Sequence, residues 1–354
     1  MQREKRKLDH IRFALELGDG AVTTGLEDVR LLHNCLTAVD PDKVDLSTRI
    51  GEVALERPLF IDAITGGTPG VREVNRQLAR IARELHLAMA VGSQYGTVHG
   101  GGDTDSYRVV REEYPDGTFF ANVSALATPE EAVKAVDMIG AAALEIHLNV
   151  AQELLMPEGD REFSILGDNL RRLQEALDIP MIVKETGCGI GPEQIRTLKE
   201  WGFTCFDVAG AGGTSFAAIE ACRSGCRRQM KFGGWGIPTA WCLAAAAPEL
   251  DPGDTLVASG GIRSGMDLAK SIALGADTAG VSGNVLALLR REGADSAVRV
   301  LEEMLDDLRD IMVLTGSATI RDLQQVPVVY LGEMLDFMGS RQLNTQRKRS
   351  SDIE

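Results

Sequence analysis

The segment PMIVKETGCGIGPEQIRTLKEWGFTCFDVAGAGG (180–213) contains one complete structural unit. Its ends, PMIVKE (180–185) and TCFDVAG (204–210), are short apolar runs, and Pro192 to Trp201 between them has helical spacing. Gly191-Pro192-Glu193 reads as a helix start, with proline in the first turn and an acid near the positive end of the helix dipole. Outward in both directions the unit recurs. Further apolar runs are PLFIDAI (58–64), LAMAVG (87–92), TFFANV (118–123), AAALEIHL (141–148), DTLVASGG (254–261) and ADTAGVSG (276–283), which brings the total to eight. Helical spacing follows at Val71 to Leu85, Pro129 to Ile139, Leu166 to Leu177 and Ser264 to Leu274, and Thr128-Pro129-Glu130-Glu131 is a second helix start. Short runs without strict alternation suit strands covered on both faces, as in a parallel sheet. Strand–helix alternation of this kind makes either a doubly wound sheet or a closed barrel, and the count of eight favours a single α/β TIM (β/α)8 barrel.

The chain has 354 residues, 44% of them hydrophobic, enough to fill a large core. Residues 1–57 precede the first run and are expected to form an N-terminal extension of helices and a lid that closes the barrel or its mouth; 58–338 form the barrel, and 339–354 form a polar, disordered tail. A formal net charge of −15 argues against nucleic-acid binding, which needs many cations to displace counterions. An anionic ligand therefore needs a local basic site. Arg3, Lys5, Arg6 and Lys7 crowd the start of the chain, although composition alone reads them as a solvated terminus. Cysteines 35, 188, 205, 222, 226 and 242 include no CxxC pair and are read as reduced, mostly buried thiols. Without a signal-peptide core or an uncharged membrane-length stretch, no membrane association is expected, and the cytoplasm is the expected compartment.

In a TIM barrel the residues just after each strand face the active site. Thr65-Gly66-Gly67, Gly92-Ser93-Gln94 and Asn122 follow the first three runs; His147, Asn149, Gln152 and Glu153 follow the fourth. Lys184 belongs to the fifth, Gly212-Gly213-Thr214 follows the sixth, Ser259-Gly260-Gly261-Ile262-Arg263 the seventh, and Ser282-Gly283 the eighth. One glycine pair is usually no more than a tight turn. Three glycine-containing turns at consecutive strand ends expose backbone N–H groups suited to a ligand phosphate. Lys184 sits in an apolar run, so its ammonium needs an electron-rich partner: the N1–C2 carbonyl edge of a flavin, or a neighbouring carboxylate. Thr65, Ser93 and Asn122 would then hydrogen-bond the flavin ring and its ribityl chain. Glu153 is a hard oxygen ligand of the kind Mg²⁺ prefers beside a diphosphate.

RKLDH (6–10), ITGG (64–67), VGSQ (91–94), ANVSA (121–125), HLNVAQE (147–153), VKE (183–185), AGAGGTSFAAIE (209–220), WGIPT (235–239) and ASGGIRSG (258–265) resemble the type 2 isopentenyl-diphosphate isomerases, from residue 6 to about 320. HxNxxQE together with the N-terminal RKxxH is the specific part; the glycine turns are shared with other FMN (flavin mononucleotide) barrels. The resemblance implies FMN contacts from Ile64, Thr65, Gly66, Gly67, Ser93, Asn122, Lys184, Thr214, Ser259, Gly260, Gly261, Arg263, Ser282 and Gly283. It implies substrate contacts from Arg6, Lys7, His10, Ser93, Gln94, His147, Asn149 and Gln152, catalytic roles for His147 and Gln152, and Mg²⁺ on Glu153. Ser282 stands where alanine is expected, and Gly233-Gly234 precede Trp235 where a polar residue is usual. The implied reaction moves a double bond between isopentenyl and dimethylallyl diphosphate with no net electron transfer, on flavin first reduced by NADPH, in a homo-oligomeric enzyme. No GxGxxG fingerprint provides NADPH with its own domain. A rival FMN-dependent α-hydroxy-acid oxidoreductase needs a histidine base after a late strand, yet histidines 10, 33, 86, 99 and 147 all lie in the first half. An IMP dehydrogenase-like enzyme needs a cysteine after the sixth strand, which AGAGGTS lacks. A phosphate-binding barrel without chemistry would have no use for both Glu153 and Lys184.

Overall fold

A computed structural model describes residues 2–226, 229–341 and 343. Eight parallel strands close into a barrel: β1 (Leu59–Ile61), β2 (Ala88–Ala90), β3 (Phe119–Ser124), β4 (Ala143–His147), β5 (Met181–Lys184), β6 (Cys205–Asp207), β7 (Thr255–Ala258) and β8 (Thr278–Val281). Closure is made by β8 against β1, with Ala279 opposite Leu59. Every strand lies in one of the eight apolar runs or, for β3, extends one residue past it. The helices follow the expected spans closely, as in Arg72–Glu84, Pro129–Ile139 and Gly265–Ala273. Pro129–Ile139 starts with a full capping box, the Thr128 and Glu131 side chains each bonding the other's backbone N–H.

Side chains alternate along a strand, so residues two apart share a face. The lower barrel interior is apolar: Phe60, Ala88, Phe120, Ala143, Ile182, Cys205 and Val257 pack together, with Phe60 and Phe120 edge-on at 5.5 Å between ring centres. Two residues further along, the same inward faces carry Asp62, Asn122, Glu145, Lys184, Asp207 and Ser259, all buried. The barrel thus has an apolar plug beneath a polar upper layer, and this layer becomes the floor of the site.

The N-terminal extension contains a helix at the barrel mouth and, besides it, a hairpin and a strand. Its helix is Gln2–Leu17, packed on Phe216–Ser224 and Gly283–Glu292 over the barrel mouth. The remainder includes a hairpin, Thr48–Ile50 with Val53–Leu55, which seats Ile50 and Leu55 against the apolar plug at the opposite end. Gly51 turns that hairpin at φ 54°, where a side chain would be strained. Val29–Leu31 pairs antiparallel with Val328–Tyr330, tying the two ends of the chain together. Of the expected tail 339–354, residues 339–341 finish the helix Gly332–Arg341, Leu343 packs on the core, and the rest lies outside the described residues. All six cysteines are free thiols, but the expected burial holds only for Cys205 and Cys242: Cys35 is exposed and Cys188, Cys222 and Cys226 are half-buried. Among the described residues no helix is long and apolar enough to cross a membrane.

Candidate active site

A cavity of about 900 Å³ opens at the C-terminal ends of the strands, roofed by the N-terminal helix. Almost every expected site residue lines it, from Arg6, Lys7 and His10 on the helix to Ser282 and Gly283 after β8. Two do not. Gln94, expected to touch substrate, is fully buried behind the wall; its Nε2 donates to Ala135 O at 2.8 Å and its Oε1 accepts from Asn122 N at 3.0 Å. Gly66, expected to touch the flavin, is also absent from the wall, and a Cβ there would run into the Tyr107 ring, whose hydroxyl donates to Ser93 O at 2.6 Å.

Beneath the cavity, Lys184 Nζ lies 3.3 Å from Asp62 Oδ2 and 3.5 Å from Asp207 Oδ2. Of the two partners expected for this ammonium, carboxylates are the ones the protein itself supplies. Burial opposes the charge on Lys184, but Asp62, Asp207 and Glu145 outweigh it and hold the pKa above the usual lysine value. One oxygen each from Asp62, Glu145 and Asp207 lies within 4.8 Å of the others, a spacing that suits a cation, and Lys184 provides it. Burial raises Asp207 to about 6, and burial together with the Asp62 charge raises Glu145 well above the usual carboxyl range. The desolvation argument that singles out Lys184 in the sequence applies equally to the acids in FIDA, LEIH and CFDV, and would have found all three.

Asn122 was expected to bond the flavin through its amide. Both ends of that amide are instead engaged by protein: Nδ2 donates to Glu145 Oε2 at 2.7 Å, and Oδ1 faces His147 Nδ1 at 2.8 Å. Burial, then the charges of Lys184 and Lys7, push His147 down to about 3, so it is a neutral imidazole.

Under the helix lies a second polar group. Burial and Arg6 lower Lys7 to about 8, and its Nζ reaches Ser93 O at 3.5 Å. His10 Nε2 lies 2.8 Å from Oε1 of Glu220, a fully buried acid that also pairs with Arg223 and, at 3.5 Å, receives Gln152 Nε2. Burial favours neutral His10, while the bonds from His10 and Arg223 keep Glu220 ionised against its own burial. Glu220 stands in the quoted AAIE motif with no role assigned to it from sequence. Asn149 Nδ2 donates to Glu153 Oε1 at 2.9 Å and Asp160 N to Glu153 Oε2 at 2.8 Å, which holds this partly desolvated carboxylate at the cavity edge.

Beyond the C-terminal end of the N-terminal helix, where Gly20 N donates to Gly213 O at 2.8 Å, the turns after β6, β7 and β8 converge. Gly260 and Gly261 have φ of 95° and 87°, and a Cβ on Gly213 would lie 2.7 Å from Gly261 N, so these backbones meet more closely than side chains allow. Gly283–Glu292 starts at Ser282 with no side-chain cap, leaving its first N–H groups without an intrahelical acceptor. Thr214 Oγ1 sits against Gly283, and Arg263 bonds the carbonyls of Gly261 and Gly212 and pairs with Asp19 at 2.5 Å, bracing the turn from outside.

The sequence profile of the FMN-dependent dehydrogenase family matches residues 115–329. The isopentenyl-diphosphate delta-isomerase of Symbiobacterium thermophilum is 44% identical over 345 residues, 93% of either chain. That of Bacillus cytotoxicus is 43% identical over 347 residues, 98% of either chain. The chain belongs to the isopentenyl-diphosphate delta-isomerase family. It is accordingly an isomerase acting on a small molecule, and the HxNxxQE and RKxxH residues meet at one cavity in this family member. Among solved structures, mandelate oxidase with (S)-mandelic acid superposes with a TM-score of 0.66 at 18% identity, covering 91% of this chain and 94% of the oxidase, a likeness of fold.

Proposed function

We propose that the cavity binds FMN along the strand ends, an isoprenoid diphosphate beneath the N-terminal helix and Mg²⁺ at Glu153, and that the enzyme interconverts isopentenyl and dimethylallyl diphosphate by proton addition and removal. The observation that carries this reading is a single cavity lined by two features suited to anions: the glycine turns with the uncapped helix start at Gly283, and the pair Arg6 and Lys7. FMN fits the first. Thr65 Oγ1 is buried at the wall with no hydrogen-bond partner among the described residues, and Lys184 offers a permanent ammonium to an electron-rich edge. When bound and reduced, FMN supplies an acid–base group able to serve an unactivated alkene.

The protein's part is positioning. Arg6 and Lys7 neutralise diphosphate oxygens, His10 holds the helix to Glu220, and Glu153 with Asn149 at its side takes the metal. His147, Gln152 and Ser93 fix the hydrocarbon end against the flavin face. The helix Gln2–Leu17 limits water at the mouth, which strengthens every charge interaction inside. NADPH serves as an external reductant, and the cytoplasmic, homo-oligomeric character expected from sequence is retained as part of the proposal. The oxidoreductase alternative finds no histidine after β5 to β8 to act as base.

The deciding experiment is anaerobic. A single stoichiometric dose of dithionite should support many turnovers of isopentenyl diphosphate, and in heavy water the product should carry deuterium. Product formed one-for-one with reductant, or hydrogen peroxide released from a hydroxy acid in air, overturns the reading.

A further inference from the structure

The end of β4 is held from below by a chain of three side chains on two adjacent strands. Glu145 is fully buried and lies behind the cavity wall; Asn122, paired with it across β3 and β4, links it to His147, which lines the cavity. We propose that Glu145 is a positioning residue for the isomerase reaction: acting through the Asn122 amide, it holds His147 as the tautomer protonated on Nδ1, so that a bare Nε2 faces the cavity as a hydrogen-bond acceptor.

The argument follows from donors and acceptors. An asparagine amide has one accepting and one donating end, and a carboxylate only accepts. Glu145 Oε2, 2.7 Å from Asn122 Nδ2, therefore claims the NH₂ end, and Asn122 Oδ1 is left facing His147 Nδ1 at 2.8 Å. An amide oxygen and a bare ring nitrogen are both acceptors and cannot bond each other, so Nδ1 carries the hydrogen. The amide's anchor is itself fixed, because Gln94 accepts from Asn122 N and is tied to Ala135. His147 is neutral, so a proton on Nδ1 leaves none on Nε2, which has no partner among the described residues.

Glu145 is faced by Asp62 just after β1, Lys184 on β5 and Asp207 on β6, which pull its protonation in opposite directions. Either state keeps the arrangement. When the acid is neutral its proton is carried on Oε1, which has no hydrogen-bond partner among the described residues, and Oε2 remains an acceptor for Asn122. A bare Nε2 receives a hydrogen bond from a flavin ring N–H or a metal-held water, and cannot donate to a diphosphate oxygen. The catalytic meaning rests on the proposed function; the tautomer does not.

The test is nitrogen NMR on ligand-free protein with ¹⁵N-labelled histidine, His147 being assigned by its loss in His147→Gln. His147 should show a protonated Nδ1 and a bare Nε2. Glu145→Gln, which can still offer an amide oxygen to Asn122, should retain that pattern. Glu145→Leu should release the amide and mix the two tautomers, with kcat lower on the order of tenfold and KM for isopentenyl diphosphate nearly unchanged. A proton on Nε2 in the unmodified protein, an unmixed tautomer in Glu145→Leu, or mixing with unchanged kcat overturns the proposal. Should Glu145→Leu fail to fold, the unmodified protein and Glu145→Gln decide. An Nδ1–H tautomer in a protein devoid of isomerase activity would sink the functional reading and leave the tautomer assignment standing.

Discussion

Lys184 is surrounded by three buried acids, and removing it exposes how that group is balanced. Asp62 and Asp207 would then be desolvated without their cation, so Lys184→Met should destabilise the fold by about 3–5 kcal/mol in urea denaturation at neutral pH. The loss should shrink on acidification, because Asp207, held at about 6, takes up a proton readily once the cation is gone. A variant as stable as its parent would show that the ion pairs contribute nothing. Lys7 gives a pH dependence with a definite sign. Its pKa of about 8 in the free protein means that the ammonium needed for the diphosphate is lost as pH rises through that value, so kcat/KM should fall on the alkaline side. Bound diphosphate restores the charge, so kcat should fall much less. Lys7→Met should be weak and lack this limb; an unmodified enzyme whose kcat/KM stays level well past that pH would detach Lys7 from substrate. Lys184 and Lys7 are legible in the sequence because a lone cation in an apolar run, or a basic cluster in an acidic protein, stands out locally. Glu220 is not, since what makes it special is the absence of water around it, which nothing in AAIE announces.

At the level of elements, the three glycine turns act together. A Cβ on Gly283 would lie 2.7 Å from Thr214 Oγ1, a hydroxyl that can rotate away, so Gly283→Ala should fold normally. It would nevertheless fill the space in front of an uncapped helix start and should weaken FMN binding on the order of tenfold, read by flavin fluorescence titration. Unchanged affinity would move the phosphate elsewhere. Gly260 offers the contrast: its φ of 95° and a Cβ that would overlap the Gly210 backbone make Gly260→Ala a folding defect instead. The positions of these turns follow from the apolar runs before them. Their convergence does not, because the turns after β6 and β8 are brought side by side only by the curvature of a closed sheet.

On the scale of the molecule, a protein of net charge −15 nevertheless gathers Arg6, Lys7 and Lys184 at one cavity of about 900 Å³, and if FMN binds there as proposed it should stabilise the fold strongly. At a hundred times its Kd, FMN should add roughly 2.7 kcal/mol and raise Tm by roughly 4 °C, whereas riboflavin, lacking the phosphate, should do far less. Equal shifts from both would mean that the glycine turns do not hold the phosphate.

The order of strands and helices, the barrel they make and the family were determined by sequence alone. Apolar runs and helix starts are local patterns, and RKxxH with HxNxxQE is a chemical signature that survives without coordinates. The hairpin Thr48–Ile50/Val53–Leu55 escaped because three-residue strands carry too little pattern to separate from loop, and its role exists only against the apolar plug it covers. Gln94 and Gly66 look like ligand contacts from their motifs, yet the turn after β2 directs Gln94 toward Ala135, and Gly66 packs against the Tyr107 ring. Only the closed barrel decided these. It brings residues about 140 positions apart in the chain, Asp62 and Asp207, onto one ammonium, and it excludes the water that would otherwise have made those charges ordinary.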